Sequence, residues 1–402
     1  LVQQLNRAQN HNKVLQCFIK DGSTRWVYEE KEAAWLETVD DFAYLNKGHT
    51  FSWISEKNGW KALYLIQEGE ETLISAKGSD MISVALIDEQ NGWLYYIASP
   101  DNPTQRYLWR TPLNPNKGRP ERITPLDQPG WHTYQIAPNG SFARHSYSNA
   151  NTPEIIDLVS LPDHRIIRTF VDNDKLANNV DQLGISPKEF LRIELASELI
   201  LDAFMIKPID FDAQKKYPVL FYVYGEPWGQ TVQDQWTGTN YLWHQMLAQQ
   251  GYIVMSIDNR GTPSPRGRDW RKSVYGQIGV LASEDQANAL LQLKQNYSFI
   301  DEDRIGIWGW SGGGSMTLNM MFRYPDLYHT GMSVAPVPDQ RLYDNIYQER
   351  YSGIPQLMPE SYQLGSPVNY AKNLKGNLLI VHGTNDDNVH YQGTEVLINE
   401  LI

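Results

Sequence analysis

The pattern of hydrophobic and polar positions along the chain changes near residue 190. Up to about residue 160, short apolar segments alternate with polar turns, and no helical period is present. Three stretches, starting at Phe51, Leu94 and Phe142, each contain a strand, a turn with Asn and Gly or Pro, and a second strand. Their starts lie 43 and 48 residues apart, near the period of a four-stranded propeller blade.

A fourth hairpin is predicted around Asp21-Gly22, with "VLQCFI" before the turn and "RWVYEE" after it. We therefore expect residues 1–165 to form an all-β partial propeller made of its C-terminal blades. A closed ring needs roughly four to eight blades, so we expect this one to be incomplete on its N-terminal side. The alternative is a β-sandwich of unrelated hairpins. The number of blades in the parent protein stays open.

Beyond residue 190, near-continuous apolar strands alternate with helical segments. Such strands predict a mostly parallel sheet with helices on both faces, which we assign to residues 195–402. The polar stretch 166–194 is interpreted as a crossover. The strand candidates are "LILDAFMIK", "YPVLFYVYG", "YIVMSIDNRG", "RIGIWGWS", "GMSVAPV" and "NLLIVHGTND". Helices are predicted at 242–249, at 284–295, after Ser311 and at the end of the chain.

Composition narrows the possible functions. At 402 residues the chain is long enough for two domains. A formal net charge of -12 without a basic stripe argues against a nucleic-acid partner. The apolar runs are too short to span a bilayer, so no transmembrane segment is expected. Cys17 is the only cysteine and lies in an apolar run, so we expect a buried thiol, no disulfide framework and no thiolate metal cluster. We assign no metal and no cofactor to the chain.

The segment Gly309-Trp310-Ser311-Gly312-Gly313 matches G-x-S-x-G, which places a nucleophilic serine on a sharp strand-to-helix turn. An apolar strand precedes the motif and a helix is predicted after it, which is the context in which the motif carries weight. The alternative is a glycine-rich turn with a solvent-facing serine. We therefore interpret Ser311 as the candidate nucleophile.

A serine nucleophile needs a histidine base and a carboxylate that orients it. Asp386 or Asp387 follows a buried strand and is the candidate acid, although Asp387 could instead cap a helix. Only His390 follows the acid, four residues later, and it is too close in the chain for the expected histidine loop. His382 is interpreted as a structural residue. We expect the base to lie beyond Ile402.

Two groups are candidates for stabilising the oxyanion of a tetrahedral intermediate. The backbone N–H of Gly312 directly follows the nucleophile. The hydroxyl of Tyr224, at the end of the strand "VLFYV", could donate a second hydrogen bond, or the residue could be an ordinary strand-end aromatic.

The motifs "VYGEPWGQ", "DNRGTPSPRG", "RIGIWGWSGGG", "VAPVPDQRLYDNIYQERYSGIP" and "LLIVHGTNDDNVHYQ" resemble the prolyl oligopeptidase class of serine peptidases, and most closely its dipeptidyl peptidase IV branch. The resemblance implies an N-terminal β-propeller that caps a C-terminal α/β-hydrolase domain, here truncated before its last strand and histidine loop. It also implies that Ser311 is the nucleophile, Asp386 the triad acid and Tyr224 an oxyanion donor.

Further implied site residues line the pocket for the residue before the cleaved bond, usually proline. Tyr343 and Tyr347 match its aromatic walls, and Arg350 and Asn388 match polar groups near the substrate carbonyls. A flat apolar slot suits a pyrrolidine ring. Alternatively, the two tyrosines, four residues apart, could be core residues on one face of a helix.

The chain also departs from the family pattern. Gly312 and Gln340 stand where the family usually has aromatic residues, which leaves the pocket's shape open. The glutamate pair that grips a substrate's free amino terminus has no counterpart, because Glu29 and Glu30 lie in a different part of the propeller. Dipeptide and tripeptide release therefore stay undistinguished. A periplasmic, extracellular or membrane-anchored location and a homodimer are implied by the resemblance alone, since the chain begins without a targeting segment.

The resulting hypothesis is a fragment of a serine exopeptidase that removes di- or tripeptides from the N-termini of peptide substrates, preferably after proline, through an acyl-enzyme on Ser311. Without the histidine, we expect this chain to be nearly inactive. The alternatives are a carboxylesterase or acylaminoacyl hydrolase, and a non-catalytic interaction protein that uses its propeller.

Overall fold

The computed structural model describes residues 1–195 and 199–402. They form two compact units, which are considered separately below. Unit 1 comprises residues 1–180, 233–237 and 264–269, and unit 2 comprises the remaining segments, 181–232, 238–263 and 270–402.

Unit 1 contains four antiparallel sheets, one of three strands and three of four strands. The strands are β1 (Val2–Leu5), β2 (His11–Cys17) and β3 (Thr24–Lys31) in the first sheet; β4 (Tyr44–Leu45), β5 (Thr50–Ser55), β6 (Ala62–Gln67) and β7 (Glu70–Leu73) in the second; β8 (Met81–Asp88), β9 (Trp93–Ala98), β10 (Tyr107–Pro112) and β11 (Glu121–Arg122) in the third; and β12 (Trp131–Ile136), β13 (Phe142–Asn149), β14 (Thr152–Ser160) and β15 (Ile166–Val171) in the fourth.

The predicted hairpins form adjacent strand pairs of these sheets, which are the central pairs in the three four-stranded sheets. The stretches that start at Phe51, Leu94 and Phe142 contain β5–β6, β9–β10 and β13–β14, and the early hairpin contains β2–β3. Successive sheets share apolar cores, the first with the second, the second with the third and the third with the fourth. Each sheet is thus a blade that buries its faces against its neighbours, and the all-β region is a partial propeller.

Two details of this region differ from the sequence interpretation. Cys17 is exposed, because it is the last residue of β2 and its strand leaves the core at that point. The stretch 166–194, interpreted as a crossover, contributes strands at both of its ends. β15 completes the fourth sheet of unit 1, and β16 (Glu189–Glu194) pairs with a strand of unit 2; helix α1 (Asp174–Gln182) lies between them.

Unit 2 contains a seven-stranded sheet in the order β16-β17-β19-β18-β20-β21-β22. The first two strands are antiparallel to their neighbours and the other five run parallel. The strands are β17 (Ile200–Ile206), β18 (Tyr217–Tyr222), β19 (Ile253–Asp258), β20 (Ile300–Trp310), β21 (Thr330–Val334) and β22 (Asn377–Val381). The helices are α2 (Thr239–Gln249), α3 (Arg268–Lys272), which begins in unit 1, α4 (Leu281–Asn296), α5 (Gly312–Arg323), α6 (Asn345–Ser352), α7 (Pro359–Gly365) and α8 (Gln392–Leu401).

The hydrophobic core of unit 2 lies between the parallel strands and their covering helices. It includes Phe221 of β18, Ile307 of β20 and Met320 of α5, all buried. The predicted alternation of strands and helices is confirmed, and the fold is an α/β-hydrolase with a mixed sheet. Because β18, β20 and β22 run parallel, the residues that follow them meet at one edge of the sheet. That edge holds Tyr224, Ser311 and Asp386.

No helix within residues 1–195 and 199–402 combines the length and the apolar character needed to cross a membrane.

Candidate active site

Ser311 occupies a strained turn between β20 and α5. Its backbone has φ 58° and ψ -120°, a conformation that side-chain-bearing residues rarely adopt. Two hydrogen bonds hold the turn: the Ser311 N–H donates to the Val334 carbonyl (2.9 Å), and the Ser315 N–H donates to the Ser311 carbonyl (3.0 Å). The surrounding structure therefore fixes Ser311 at the end of the strand, as a nucleophile elbow requires.

The glycines of the motif are required by close backbone contacts. A Cβ atom at Gly309 would lie 2.4 Å from the Val223 carbonyl oxygen, and one at Gly313 would lie 2.2 Å from the same atom. Real side chains do not tolerate such distances, so the helix could not approach β18 this closely with any other residue. This packing brings the start of α5 against the segment that carries Tyr224.

Both predicted oxyanion donors lie beside Ser311. Gly312 is the first residue of α5, so its N–H has no carbonyl partner within the helix. The Tyr224 phenol is in hydrogen-bonding contact with the Ser311 side chain. Burial, together with the charge of Glu226, raises the pKa of Tyr224, which keeps the hydroxyl protonated and able to donate.

Asp386 lies on the turn after β22, and its side chain is 25% exposed. Its Oδ1 accepts hydrogen bonds from the N–H groups of Val389 (2.9 Å) and Asn388 (3.1 Å). These bonds lower the pKa of Asp386, because they favour the ionised carboxylate. Asp387 is exposed. The turn thus presents one ordered carboxylate, Asp386, at the sheet edge.

The two histidines near Asp386 differ in their surroundings. The side chain of His382 is 1% exposed; its Nε2 donates to the Val389 carbonyl (2.8 Å), and its Nδ1 pairs with the Thr394 hydroxyl (2.6 Å). Both ring nitrogens are therefore used inside the turn, as the structural interpretation of His382 predicts. His390 is exposed. Within residues 1–195 and 199–402, no histidine ring is hydrogen-bonded to Ser311.

Tyr343 and Tyr347 form an edge-to-face aromatic pair, with ring centroids 5.4 Å apart. Asp344 caps α6 by accepting a hydrogen bond from the Tyr347 N–H (2.8 Å), which fixes the position of the second ring. The Tyr343 hydroxyl donates to the side-chain oxygen of Asn388 (3.2 Å), so the aromatic pair contacts the turn that carries Asp386. Arg350 is half-buried one turn further along α6.

The structure adds one residue that motif reasoning did not select. Glu226, two residues after Tyr224, is buried, and its Oε2 accepts a hydrogen bond from the Tyr347 hydroxyl (2.8 Å). Burial raises the pKa of Glu226 to about 7, partly offset by that hydrogen bond. The sequence did contain a signal for this residue, namely an acidic side chain in the apolar segment at the end of a strand. Gln340, by contrast, is fully buried and donates to the Gly365 carbonyl, so it does not line an open pocket.

Comparisons with known proteins agree with these features. The family model described as "Prolyl oligopeptidase family" matches residues 225–402. The model described as "Dipeptidyl peptidase IV (DPP IV) N-terminal region" matches residues 1–154. The two models thus fall on the regions that form the α/β-hydrolase and the partial propeller.

Similar proteins and structures cover nearly the whole chain. Dipeptidyl peptidase 4 of Trichophyton equinum and that of Trichophyton tonsurans are each 30% identical over 410 residues, which is 99% of this chain and 52% of those proteins. The crystal structure of Porphyromonas gingivalis dipeptidyl peptidase 4 superposes with a TM-score of 0.93 at 33% identity, covering 100% of this chain and 56% of that one.

The chain spans about half the length of the curated relatives that it matches. Both of its units correspond to regions of those relatives, and the elbow at Ser311 lies inside the matched peptidase region. Residues 225–402 therefore match the prolyl oligopeptidase family, and over nearly its whole length the chain is similar to dipeptidyl peptidase 4 proteins.

Proposed function

We propose that the parent protein is a serine exopeptidase that releases dipeptides from peptide N-termini, preferably after proline, with Ser311 as the nucleophile. The observation that carries the proposal is the elbow itself, in which a strained Ser311 directly precedes Gly312 and contacts the Tyr224 phenol. The relatives' name, dipeptidyl peptidase 4, supports release of dipeptides rather than tripeptides.

In the proposed reaction, the Ser311 hydroxyl oxygen attacks the carbonyl carbon before the scissile bond as its proton passes to a histidine. The Tyr224 hydroxyl and the Gly312 N–H stabilise the negative oxygen that forms. The C–N bond then breaks, the histidine gives its proton to the leaving amine, and water releases the dipeptide from the acyl-enzyme. Asp386 would orient the histidine through Oδ2, which in this structure lies 3.5 Å from His382 Nε2.

The preference for proline rests on Tyr343 and Tyr347. Two rings at an interplanar angle of 77° form a corner of apolar surface, which suits a flat pyrrolidine ring because no polar partner is required. Arg350 and Asn388 are proposed to contact the substrate carbonyls. Each of these roles is part of the proposal and is tested by the substrate comparison below.

We further propose that the 402-residue chain is a poor catalyst by itself. His382 has both nitrogens engaged within its own turn, and exposed His390 follows Asp386 by only four residues. Loss of the base in related triads lowers the rate by several powers of ten, about 10⁴ or more. Rapid hydrolysis of a Gly-Pro anilide by this chain would contradict the proposal.

The experiment compares the full-length parent protein with its Ser311→Ala variant on three substrates: Gly-Pro-p-nitroanilide, the same compound with an acetylated amino terminus, and a p-nitrophenyl ester. We expect selective cleavage of the free Gly-Pro compound and loss of activity in the variant. A preference for the blocked amide or the ester would instead indicate an acylaminoacyl hydrolase or a carboxylesterase. Failure of a fluorophosphonate to label Ser311 would indicate a non-catalytic protein.

A further inference from the structure

Glu226 is a buried carboxyl group beside the candidate oxyanion site. Glu226 is only 5% exposed, although it lies in the loop that follows β18. The Tyr347 hydroxyl donates a hydrogen bond to Oε2 over 2.8 Å. A buried carboxyl is costly unless it has partners, so this position calls for a specific explanation.

Gly312 leaves the space that the carboxyl group occupies. A Cβ atom at position 312 would lie 2.9 Å from Glu226 Oε2 and 3.1 Å from Tyr224 Cζ. The residue that supplies the backbone oxyanion donor is therefore in direct contact with both the Glu226 carboxyl and the Tyr224 phenol. A larger side chain at 312 would displace the carboxyl.

We propose that Glu226 is a positioning residue for the oxyanion site, fixing the Tyr347 side of the pocket while its charge state sets how well Tyr224 and Gly312 stabilise the oxyanion. The proposal rests on the proposed serine-peptidase function. A protonated carboxyl keeps the packing without adding charge. An ionised carboxylate, a few ångströms from the donors, opposes the negative charge that develops on the substrate oxygen.

Several titratable side chains surround Glu226. Tyr224 faces Glu226 from its own loop; Tyr347 and Tyr351 belong to α6, and Tyr343 precedes it. The same helix carries Glu349 and Arg350, and the first turn of α5 has no acidic residue.

The pKa of Tyr343 is raised mainly by burial, and the charges of Asp344, Glu226 and Asp386 add to that rise. Burial raises the pKa of both Tyr224 and Tyr347, and the negative charge of Glu226 raises it further.

The test measures kcat and KM for Gly-Pro-p-nitroanilide against pH in the full-length parent enzyme and in its Glu226→Gln variant. Glutamine keeps the shape and can still contact Tyr347, but it cannot ionise. We expect the kcat ratio of variant to wild type to rise by roughly tenfold between about pH 6 and about pH 8.5, as wild-type Glu226 becomes charged. A ratio that is constant with pH would overturn the proposal.

Two further variants separate positioning from general destabilisation. Tyr347→Phe removes the hydrogen bond but keeps the carboxyl, so we expect a lower kcat with the wild-type direction of pH dependence. Glu360→Gln is the matched control, because Glu360 is exposed on α7, and its profile should be parallel to the wild type. Active-site titration with a fluorophosphonate corrects every rate for the folded fraction.

A second readout does not depend on peptidase activity. The infrared difference between Ser311→Ala and the Ser311→Ala/Glu226→Gln double variant should contain a protonated-carboxyl band that is lost between about pH 6 and about pH 8.5. Its absence at both pH values would overturn the inference even in an active peptidase. If the band titrates but no substrate is cleaved, the proposed function fails; the pH dependence of fluorophosphonate labelling of Ser311 in wild type and Glu226→Gln then decides the inference.

Discussion

The two units both bury titratable groups, but they do so in different settings. In unit 1, His132 and His145 stack with their rings 5.1 Å apart on the face of the fourth sheet and are hydrogen-bonded Nδ1 to Nε2 (2.8 Å). In unit 2, Glu226 and Asp258 are buried at the carboxyl ends of parallel strands. Burial lowers the pKa values of the histidines to about 3 and about 2, and raises those of the carboxyl groups to about 7 and about 6.

This contrast shows that burial alone does not identify a reactive site. The histidines are enclosed within a blade by the rings of Tyr134 and Tyr147, and His132 also donates to the Gln128 carbonyl. The Asp258 carboxylate accepts hydrogen bonds from the backbone N–H groups of Thr231 and Val232. Only Glu226 also lies against a strained serine turn. The position of a buried group at the strand ends is therefore the better indicator of a chemical role. The size of its pKa shift alone does not distinguish such a group from a structural one.

The largest expected effect concerns backbone packing at the elbow, compared with a turn in a blade. Gly313→Ala would place a Cβ 2.2 Å from the Val223 carbonyl oxygen, so we expect a loss of about 3 kcal/mol or more in the free energy of unfolding. Gly92→Ala in the β8–β9 turn has open space and φ +75°, so it should cost only about 1 kcal/mol. Urea unfolding of the two variants measures both; equal losses would contradict the close packing at Gly313.

The next effect concerns Tyr224, the proposed oxyanion donor. Tyr224→Phe removes the hydroxyl that contacts Ser311 while leaving the ring in place. We expect kcat of the full-length enzyme to fall about a hundredfold with little change in KM, because the lost interaction forms mainly in the transition state. Steady-state kinetics on Gly-Pro-p-nitroanilide provides the measurement. His145→Gln in the blade is the comparison variant. An equal loss of kcat in this variant would contradict the distinction between the buried groups of the blade and those beside Ser311.

A third prediction uses the opposite signs of the two pKa shifts. The pKa of His145 is lowered on folding, so below pH 6.5 the unfolded chain binds more protons than the folded chain. Acidification below pH 6.5 therefore lowers the free energy of unfolding, by about 1.4 kcal/mol per pH unit. The pKa of Glu226 is raised on folding, so its contribution to the free energy of unfolding is greatest at low pH. That contribution is lost as the pH rises through about 7.

Urea unfolding at about pH 5.5 and about pH 8 tests these signs. Relative to wild type, Glu226→Gln should gain about 2 kcal/mol more stability at the higher pH than at the lower one. His145→Gln should show the reverse, with its relative stability better at the lower pH. The same sign of change in both variants would show that one of the two assignments is wrong.

The smallest effect is expected at the rim of the proposed proline pocket. Tyr343→Phe removes one partly exposed hydrogen bond, to exposed Asn388 (3.2 Å), and keeps the aromatic pair with Tyr347. We expect KM for a Gly-Pro substrate to rise about twofold, since such bonds contribute about 1 kcal/mol or less. Tyr343→Ala, which removes the ring, should raise KM more; an equal effect of both variants would argue that the hydroxyl is the important group.

Much of the fold was accessible from the chain alone. The hairpins at Phe51, Leu94 and Phe142 were predicted because a strand, a turn and a second strand are written in consecutive residues. The elbow was predicted for the same reason, since Gly309 to Gly313 form one local turn. The exposure of Cys17 and the burial of Gln340 were not predictable, because each depends on which surfaces distant segments cover.

The sequence by itself determined what short-range geometry controls: the blades, the alternation of strands and helices, and a serine held on a strained turn. The tertiary structure alone decided what surrounds that serine. Glu226, Gly312 and Tyr347 are far apart in the chain, and their contacts exist only because parallel strands bring their carboxyl ends to one edge of the sheet. Contacts of that kind depend on packing, which no local pattern specifies.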